Sequence, residues 1–296
     1  MAHSQKLPAR ENHSVMQTIL RGKSSEVTIA IDAPFVIIGE RINPTGHKKL
    51  GAAYTAGDMD YVRNLAQSQV ESGADVLDVN VGVPELDDVV LLPRIVQLVA
   101  ETVDVPLCID TPNPKALAAA LPVAPGKVLV NSVNGETASL ENVLPLVKEH
   151  GAAVIGLTMD DDGIPGDAET RLAIAEKIAN RCAQLGIPLE DLVIDPLVMT
   201  VGTDSRAAML TLQTIQLVRE HLGVNINLGA SNVSFGLPDR QTINQAFLSL
   251  AMQVGATCAI THPGKLAAAI RATDLLLGRD DFGMRYITYW RAHQQT

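Results

Sequence analysis

The chain has 296 residues, 47% of them hydrophobic but only 3% aromatic, and a formal charge of −10. That length suits one large α/β domain, and an apolar supply of Val, Ile, Leu and Ala suits buried parallel strands under covering helices. The charge argues against nucleic acid or an anionic membrane as the main partner, so an anionic ligand must be met by local donors.

Residues 1–33 are polar and irregular, with a short helix expected near Ser14–Leu20. They read as an N-terminal extension capping one end of a domain that fills residues 34–296. The first strand is expected at Phe35–Gly39, followed by ERINPTGHKKLG, where Pro44, Gly46 and Gly51 argue for a long, irregular, functional loop. A helix follows from Asp58, as N-cap, to Ser72, with Gly73 as its stop. The unit then repeats. Strands are expected near Val76–Asn80, Leu107–Asp110, Val128–Asn131, Ala153–Thr158, Val193–Asp195, Ile226–Gly229 and Thr257–Ile260. Helices are expected near Asp87–Val103, Pro114–Leu121, Ser139–His150, Asp167–Leu185, Ser205–Leu222, Asp239–Val254 and Lys265–Leu277. Eight strand–helix units predict a (β/α)8 TIM barrel. The doubly wound alternative needs a switch point and usually fewer strands.

Cys108, Cys182 and Cys258 are far apart and form no CxxC, which reads as reduced core thiols of a cytoplasmic protein. No apolar run reaches the ~18 residues of a membrane span, and VMQTIL is too short for a signal-peptide core. There is no GxxxxGK[ST], no GxGxxG after a strand and no HExxH. Lysines avoid the strand ends apart from Lys265, which disfavours a Schiff-base aldolase. Glu40, Asp78 and Asp110 could imitate a carboxylate metal site. Asn43, Asn80 and Asn131 share that face, however, and no His stands at a strand end before His262. Amides without imidazole favour an organic ligand, so no metal is expected on this chain.

In such a barrel, polar residues at the C-terminal strand ends read as catalytic or ligand-binding. The set is GERIN (Glu40, Asn43), LDVNVG (Asp78, Asn80), CIDT (Asp110), VNSVN (Asn131), IDPL (Asp195) and GASNVSFG (Ser231, Asn232, Phe235). A carboxylate accepts two parallel hydrogen bonds from an N–C–N–H edge. The 2-amino-4-oxo edge of a pterin presents that pair of donors beside its acceptors, and an Asp flanked by amides matches it.

IIGERIN, LDVNVG, CIDT, VNSVN, HGAAVIGLTMDDDGIP, LVIDPLV and SNVSFG…R…IN.AF occur in this order over about Val36 to Leu277. In that order and spacing the chain resembles the pterin-binding methyltransferases. Its likeness is to the methyltetrahydrofolate:corrinoid protein methyltransferases, including those of O-demethylase systems, and to the folate module of cobalamin-dependent methionine synthase. The resemblance implies methyl transfer between N5 of tetrahydrofolate and a corrinoid, in one-carbon metabolism or O-demethylation. By it, Asp110, Asn131 and Asp195 hold the pterin, Asn232 reaches N5, and Phe235 and Arg240 lie over the ligand. A polar residue stands at the position of Phe235 in some relatives, which leaves the corrinoid partner open. The resemblance also implies a homodimer.

Chemistry explains an Asn at that place. The N5 methyl group leaves a poor leaving group, so hydrogen bonding to N5 must strengthen as the C–N bond breaks. A neutral amide tolerates either protonation state of N5, and a bond realised only in the transition state lowers the barrier by roughly 1.5–3 kcal/mol. The acceptor, Co(I), is itself the nucleophile. The chain has no DxHxxG cobalamin signature, because Thr45 stands where the Asp would precede His47. The corrinoid is therefore expected on a separate protein, with methyltetrahydrofolate as the small substrate and the open barrel face as the docking surface.

Plainer readings stand beside these. Asp78 and Asn80 can satisfy buried backbone groups at the rim, and Asn232 can cap a loop. The run Asp160–Asp162 before Gly163 lacks the rest of a calcium loop and suits a solvated turn, although Asp160 directly follows a strand and can also touch the pterin. Lys48, Lys49 and Lys265 can meet a folate's glutamate tail or simply be solvated. A dihydropteroate-synthase-like enzyme is an alternative on the same barrel, and a non-catalytic folate-binding subunit is another.

Overall fold

In the computed structural model, residues 15–294 are described. Eight parallel strands form the barrel: β3 (Val36–Ile42), β4 (Val76–Val79), β5 (Leu107–Asp110), β6 (Leu129–Asn134), β7 (Ala153–Leu157), β8 (Leu192–Asp195), β9 (Asn225–Ile226) and β10 (Cys258–Thr261). Their order, β10-β3-β4-β5-β6-β7-β8-β9, follows the chain. Bonds from Thr257 N to Ile226 O (3.0 Å) and Ile260 N to Leu228 O (2.9 Å) join the last two strands and close the ring. The expected (β/α)8 barrel is the observed fold.

Helices α2 (Met59–Glu71), α3 (Asp88–Thr102), α4 (Pro114–Ala120), α5 (Thr137–His150), α6 (Ala168–Leu185), α7 (Ala207–His221), α8 (Arg240–Val254) and α9 (Pro263–Leu276) follow the eight strands. Local chemistry sets their starts. Asp58 accepts from Tyr61 N, Asp87 from Val89 N, and Asp167 from Thr170 N, each satisfying a donor that the first helical turn leaves unpaired.

Two expectations fail, and one helix was not foreseen. Thr18–Arg21 is a strand, β1, paired antiparallel with β2 (Glu26–Ile29), where a helix over Ser14–Leu20 was expected; Ser14 itself lies outside the described residues. Thr18, Leu20 and Ile29 are fully buried, and that tertiary burial overrides the local helical reading. The segment after β3 is not wholly irregular either. Lys48–Ala56 is a helix, α1, with Gly51 inside it. Burial of Leu50, Ala53 and Tyr54 offsets the glycine penalty of about 1 kcal/mol. Past α9, Met284–His293 forms α10, which no expectation covered. The Asp280 carboxylate seeds it by accepting from Arg285 N and Tyr286 N, both at 2.9 Å.

The core has two layers. Phe35, Ile37, Leu77, Ile109, Val130 and Ile194 pack outward against the helices. Val36, Ile38, Val76, Cys108, Leu129, Ile155 and Val193 fill the barrel, joined from below by Leu20 and Ile29 of the hairpin. The β1–β2 hairpin thus plugs the N-terminal mouth. Asn225 Nδ2 donates to Thr18 Oγ1 (3.0 Å) and Ile29 O (2.7 Å), and Arg21 exchanges two backbone bonds with Lys127 (2.9 and 3.0 Å). No helix among the described residues is long and apolar enough to cross a membrane.

Gly126 makes the plug possible. Its φ is +71°, and a Cβ there would stand 2.3 Å from Arg21 O. Gly126→Ala is expected to cost at least about 2 kcal/mol and to speed hydrogen exchange at Arg21 and Lys127. Unchanged thermal stability and exchange would refute the role of that close approach.

Candidate functional site

Side chains alternate across a strand, so every second residue of each barrel strand enters the lumen. Val76 points in, Leu77 out, and Asp78 in again. The same pleat carries Cys108 and Asp110 of β5, Leu129 and Asn131 of β6, and Val193 and Asp195 of β8. One apolar layer therefore lies directly beneath one polar layer at the C-terminal end. Asp110 and Asn131 are register partners on adjacent strands.

The polar layer is cross-linked by amides. Asp110 Oδ2 accepts from Asn80 Nδ2 at 2.9 Å and from Asn43 Nδ2 at 3.4 Å, while Asp78 Oδ1 accepts from Asn131 Nδ2 at 3.3 Å. On the far side, Asp195 Oδ2 accepts from Asn227 Nδ2 and Oδ1 from Leu197 N, both at 2.8 Å. Burial pushes the Asp78 carboxyl well above the usual range, reinforced by the neighbouring Asp110 charge and opposed by Cys108 and Asn131. Burial likewise raises Asp110, against the Asn80 hydrogen bond. It raises Asp195 to about 6, opposed by the donors at Leu197, Asn227 and Gly229 and by Arg171.

The rim is more basic. Glu40 is raised by burial and drawn back by Arg41, Arg240, Lys265 and Ser231. Arg41 Nη1 lies 2.8 Å from His262 Nε2, and burial, with Arg41 and Lys265, lowers the imidazole pKa, favouring its neutral form. A cavity of about 550 Å³ is bounded by Glu40, Asn43, Asp78, Asp110, Asn131, Ser231, Asn232, Arg240 and His262, among others. A second, of about 460 Å³, shares Asp110 and Asn131 and runs between β5, β6 and α5 past Ser132, Asn134 and Asn142. Arg240 donates to Ser234 Oγ and Ser231 O, and its guanidinium stands 5.7 Å from the ring of the exposed Phe235.

Of the residues singled out in the sequence, Glu40, Asn43, Asp78, Asp110, Asn131, Ser231, Asn232 and Arg240 meet at one cavity, with Asn80 bonded to its wall. Phe235 stands outside under Arg240. Asp160 is engaged in its own turn, accepting from Asp162 N at 3.1 Å and bridging to Gly163. Sequence reasoning passed over Asn227, Arg41 and Arg171. Asn227 was legible, since it lies two residues past the buried Asn225 on the same strand face; the other two depend on tertiary partners. Among the described residues no group of three or more His, Cys, Asp or Glu is placed to hold a metal ion.

The family model described as pterin binding enzyme matches residues 39–262. A methylcorrinoid:tetrahydrofolate methyltransferase of Eubacterium limosum is 33% identical over 264 residues, covering 86% of this chain and 96% of that protein. A methionine synthase of Mycobacterium tuberculosis (strain ATCC 25618 / H37Rv) is 32% identical over 253 residues, 81% of this chain but 21% of that protein. Among solved structures, the dihydropteroate synthase of Yersinia pestis superposes with a TM-score of 0.66 at 17% identity, over 90% of this chain and all of that one, a likeness of fold.

Asp195 gives a test of the site's electrostatics. Its pKa rises from 3.8 to about 6 on folding. The folded state thus holds the proton more tightly, and this group's contribution to stability falls as pH rises from about 4 to about 6. The full difference corresponds to about 3 kcal/mol. Relative to the unmodified protein, Asp195→Asn is therefore expected to gain about 1–3 kcal/mol between pH 4 and pH 7, on top of a pH-independent cost from an amide facing the Leu197 and Asn227 donors. Equal changes in Tm at the two pH values would contradict this.

Proposed function

The chain belongs to the pterin-binding enzymes, and we propose that it moves a methyl group between N5 of tetrahydrofolate and the cobalt of a corrinoid carried on a separate protein. The observation that carries this reading is Asn232, an exposed amide at the edge of a cavity that also holds Asp78, Asp110 and Asn131. A pterin ring needs carboxylates and amides for its donor–acceptor edge and one further group at N5, and this cavity offers both. The Eubacterium limosum relative, named for a methylcorrinoid and tetrahydrofolate, supports the reading across nearly its whole length.

Each residue then has a task. Asn43 and Asn80 both bond Asp110 through Oδ2, which leaves Oδ1 as an acceptor for one of the pterin's 2-amino and N3–H donors. Asn131 and Asp195 complete the ring's partners. Asn232 hydrogen-bonds N5. During transfer the cobalt of the corrinoid substrate supplies the electron pair of the new bond, while N5 keeps the C–N pair and takes up a proton. Glu40, Asp78 and Asp110 line this cavity and are all biased by burial toward the protonated form, so they can serve as proton stores. The reading includes a cytoplasmic homodimer serving one-carbon metabolism or O-demethylation.

The test is anaerobic mixing of the protein with methyltetrahydrofolate and Co(I) cobalamin, following loss of the Co(I) absorbance. Conversion to methylcobalamin is expected, slowed roughly 10- to 100-fold in Asn232→Ala, the size of one transition-state hydrogen bond. Absence of folate binding by the unmodified protein would overturn the proposal.

A further inference from the structure

Arg171 of α6 is 1% exposed, an uncommon place for a guanidinium. Its hydrogen-bond partners are three backbone carbonyls and no carboxylate. Nε donates to Pro165 O at 3.0 Å, and Nη1 donates to Pro196 O at 2.7 Å and Leu197 O at 2.9 Å. Pro165 follows β7, while Pro196 and Leu197 follow β8. One buried cation therefore ties together two adjacent loops at the open end of the barrel.

What it grips is strained. Leu197 has φ = 61°, a left-handed conformation that a leucine adopts at a cost. In that conformation the Leu197 amide donates to Asp195 Oδ1 at 2.8 Å. The same loop continues to the turn that bears Asn232, where Val201 N donates to Val233 O (2.9 Å) and Thr200 Oγ1 to Phe235 O (2.8 Å). The guanidinium is thus bonded to the loop that holds Asp195 through Leu197 and that reaches, three and four residues on, the turn bearing the cavity residue Asn232. For folding alone, an apolar side chain with a relaxed loop would avoid burying a charge. The strained arrangement makes sense where carboxylate and amide must be held in place before the ligand arrives.

We infer that Arg171 is a positioning residue whose guanidinium holds Leu197 in its left-handed conformation, fixing the Asp195 carboxylate and the turn carrying Asn232. The kinetic part of this inference rests on the methyl-transfer reading; the conformational part does not.

The test pairs Arg171→Met with Leu197→Gly, because glycine adopts a positive φ without strain. In Arg171→Met, KM for methyltetrahydrofolate is expected to rise about tenfold and Leu197 amide exchange to quicken at least tenfold. Adding Leu197→Gly is expected to bring KM back to within about threefold of the unmodified protein. Unchanged KM and exchange would overturn the inference. So would a raised KM that Leu197→Gly does not restore, since that marks general destabilisation. If Arg171→Met does not fold, Arg171→Lys replaces it, with an intermediate rise in KM and the same rescue expected; the lack of either refutes the assignment. If the unmodified protein binds no folate, the functional reading fails, and the exchange measurement alone then decides whether Arg171 holds Leu197.

Discussion

The pleat of the barrel strands is the constraint on which the rest depends. Because inward residues recur every second position, Asp78 stands directly above Val76, Asp110 above Cys108, Asn131 above Leu129 and Asp195 above Val193. A slip of one residue would turn each of these polar groups into the helix layer and leave the lumen without a site. With the register as it is, an apolar plug and the β1–β2 hairpin lie below the polar layer, and Asp78, Asp110 and Asn131 open onto the cavities at the C-terminal end.

That placement works against stability. Carboxyls held just above an apolar plug are desolvated, and Asp78, Asp110 and Asp195 all respond with raised pKa values. Part of the cost is recovered by amides, through Asn80 and Asn43 on Asp110, Asn131 on Asp78 and Asn227 on Asp195, where Arg171 adds a smaller share. Amides leave the carboxylates able to accept from a ligand, whereas salt bridges would occupy them. Cations gather at the rim instead, where Arg41, Arg240 and Lys265 surround Glu40. A chain of charge −10 thus gathers positive charge at its cavity mouth.

The two loops after β7 and β8 complete the arrangement. They carry little regular structure, yet Asp195, Leu197, Val201 and Val233 are joined by directed bonds, and Arg171 closes the set from beneath. Hydrogen bonds between loops order this end of the barrel together with the buried side chains of Val198, Ala230 and Val233.

The sequence by itself determined the number and order of barrel strands, the helices that follow them and most of the residues at the cavity. These signals are local: a short β-rich run, a 3.6-residue periodicity, a capping Asp58 or Asp167, and a polar residue one step past an apolar one. Only the tertiary structure decided that Thr18–Arg21 pairs as a strand, that Lys48–Ala56 is helical despite Gly51, and that Met284–His293 continues the chain as a helix. It alone brought Arg41 to His262, 221 positions apart, and set Arg171 under Leu197. Apart from the Asp280 cap of α10, which is local, the deciding partner is remote in sequence: the barrel floor for Leu20, the Asn80 carbonyl for Tyr54, the loop after β8 for Arg171. Burial and hydrogen bonding to distant partners outweigh local propensities of a few tenths to about 1 kcal/mol per residue, and no window along the chain contains both halves of such a contact.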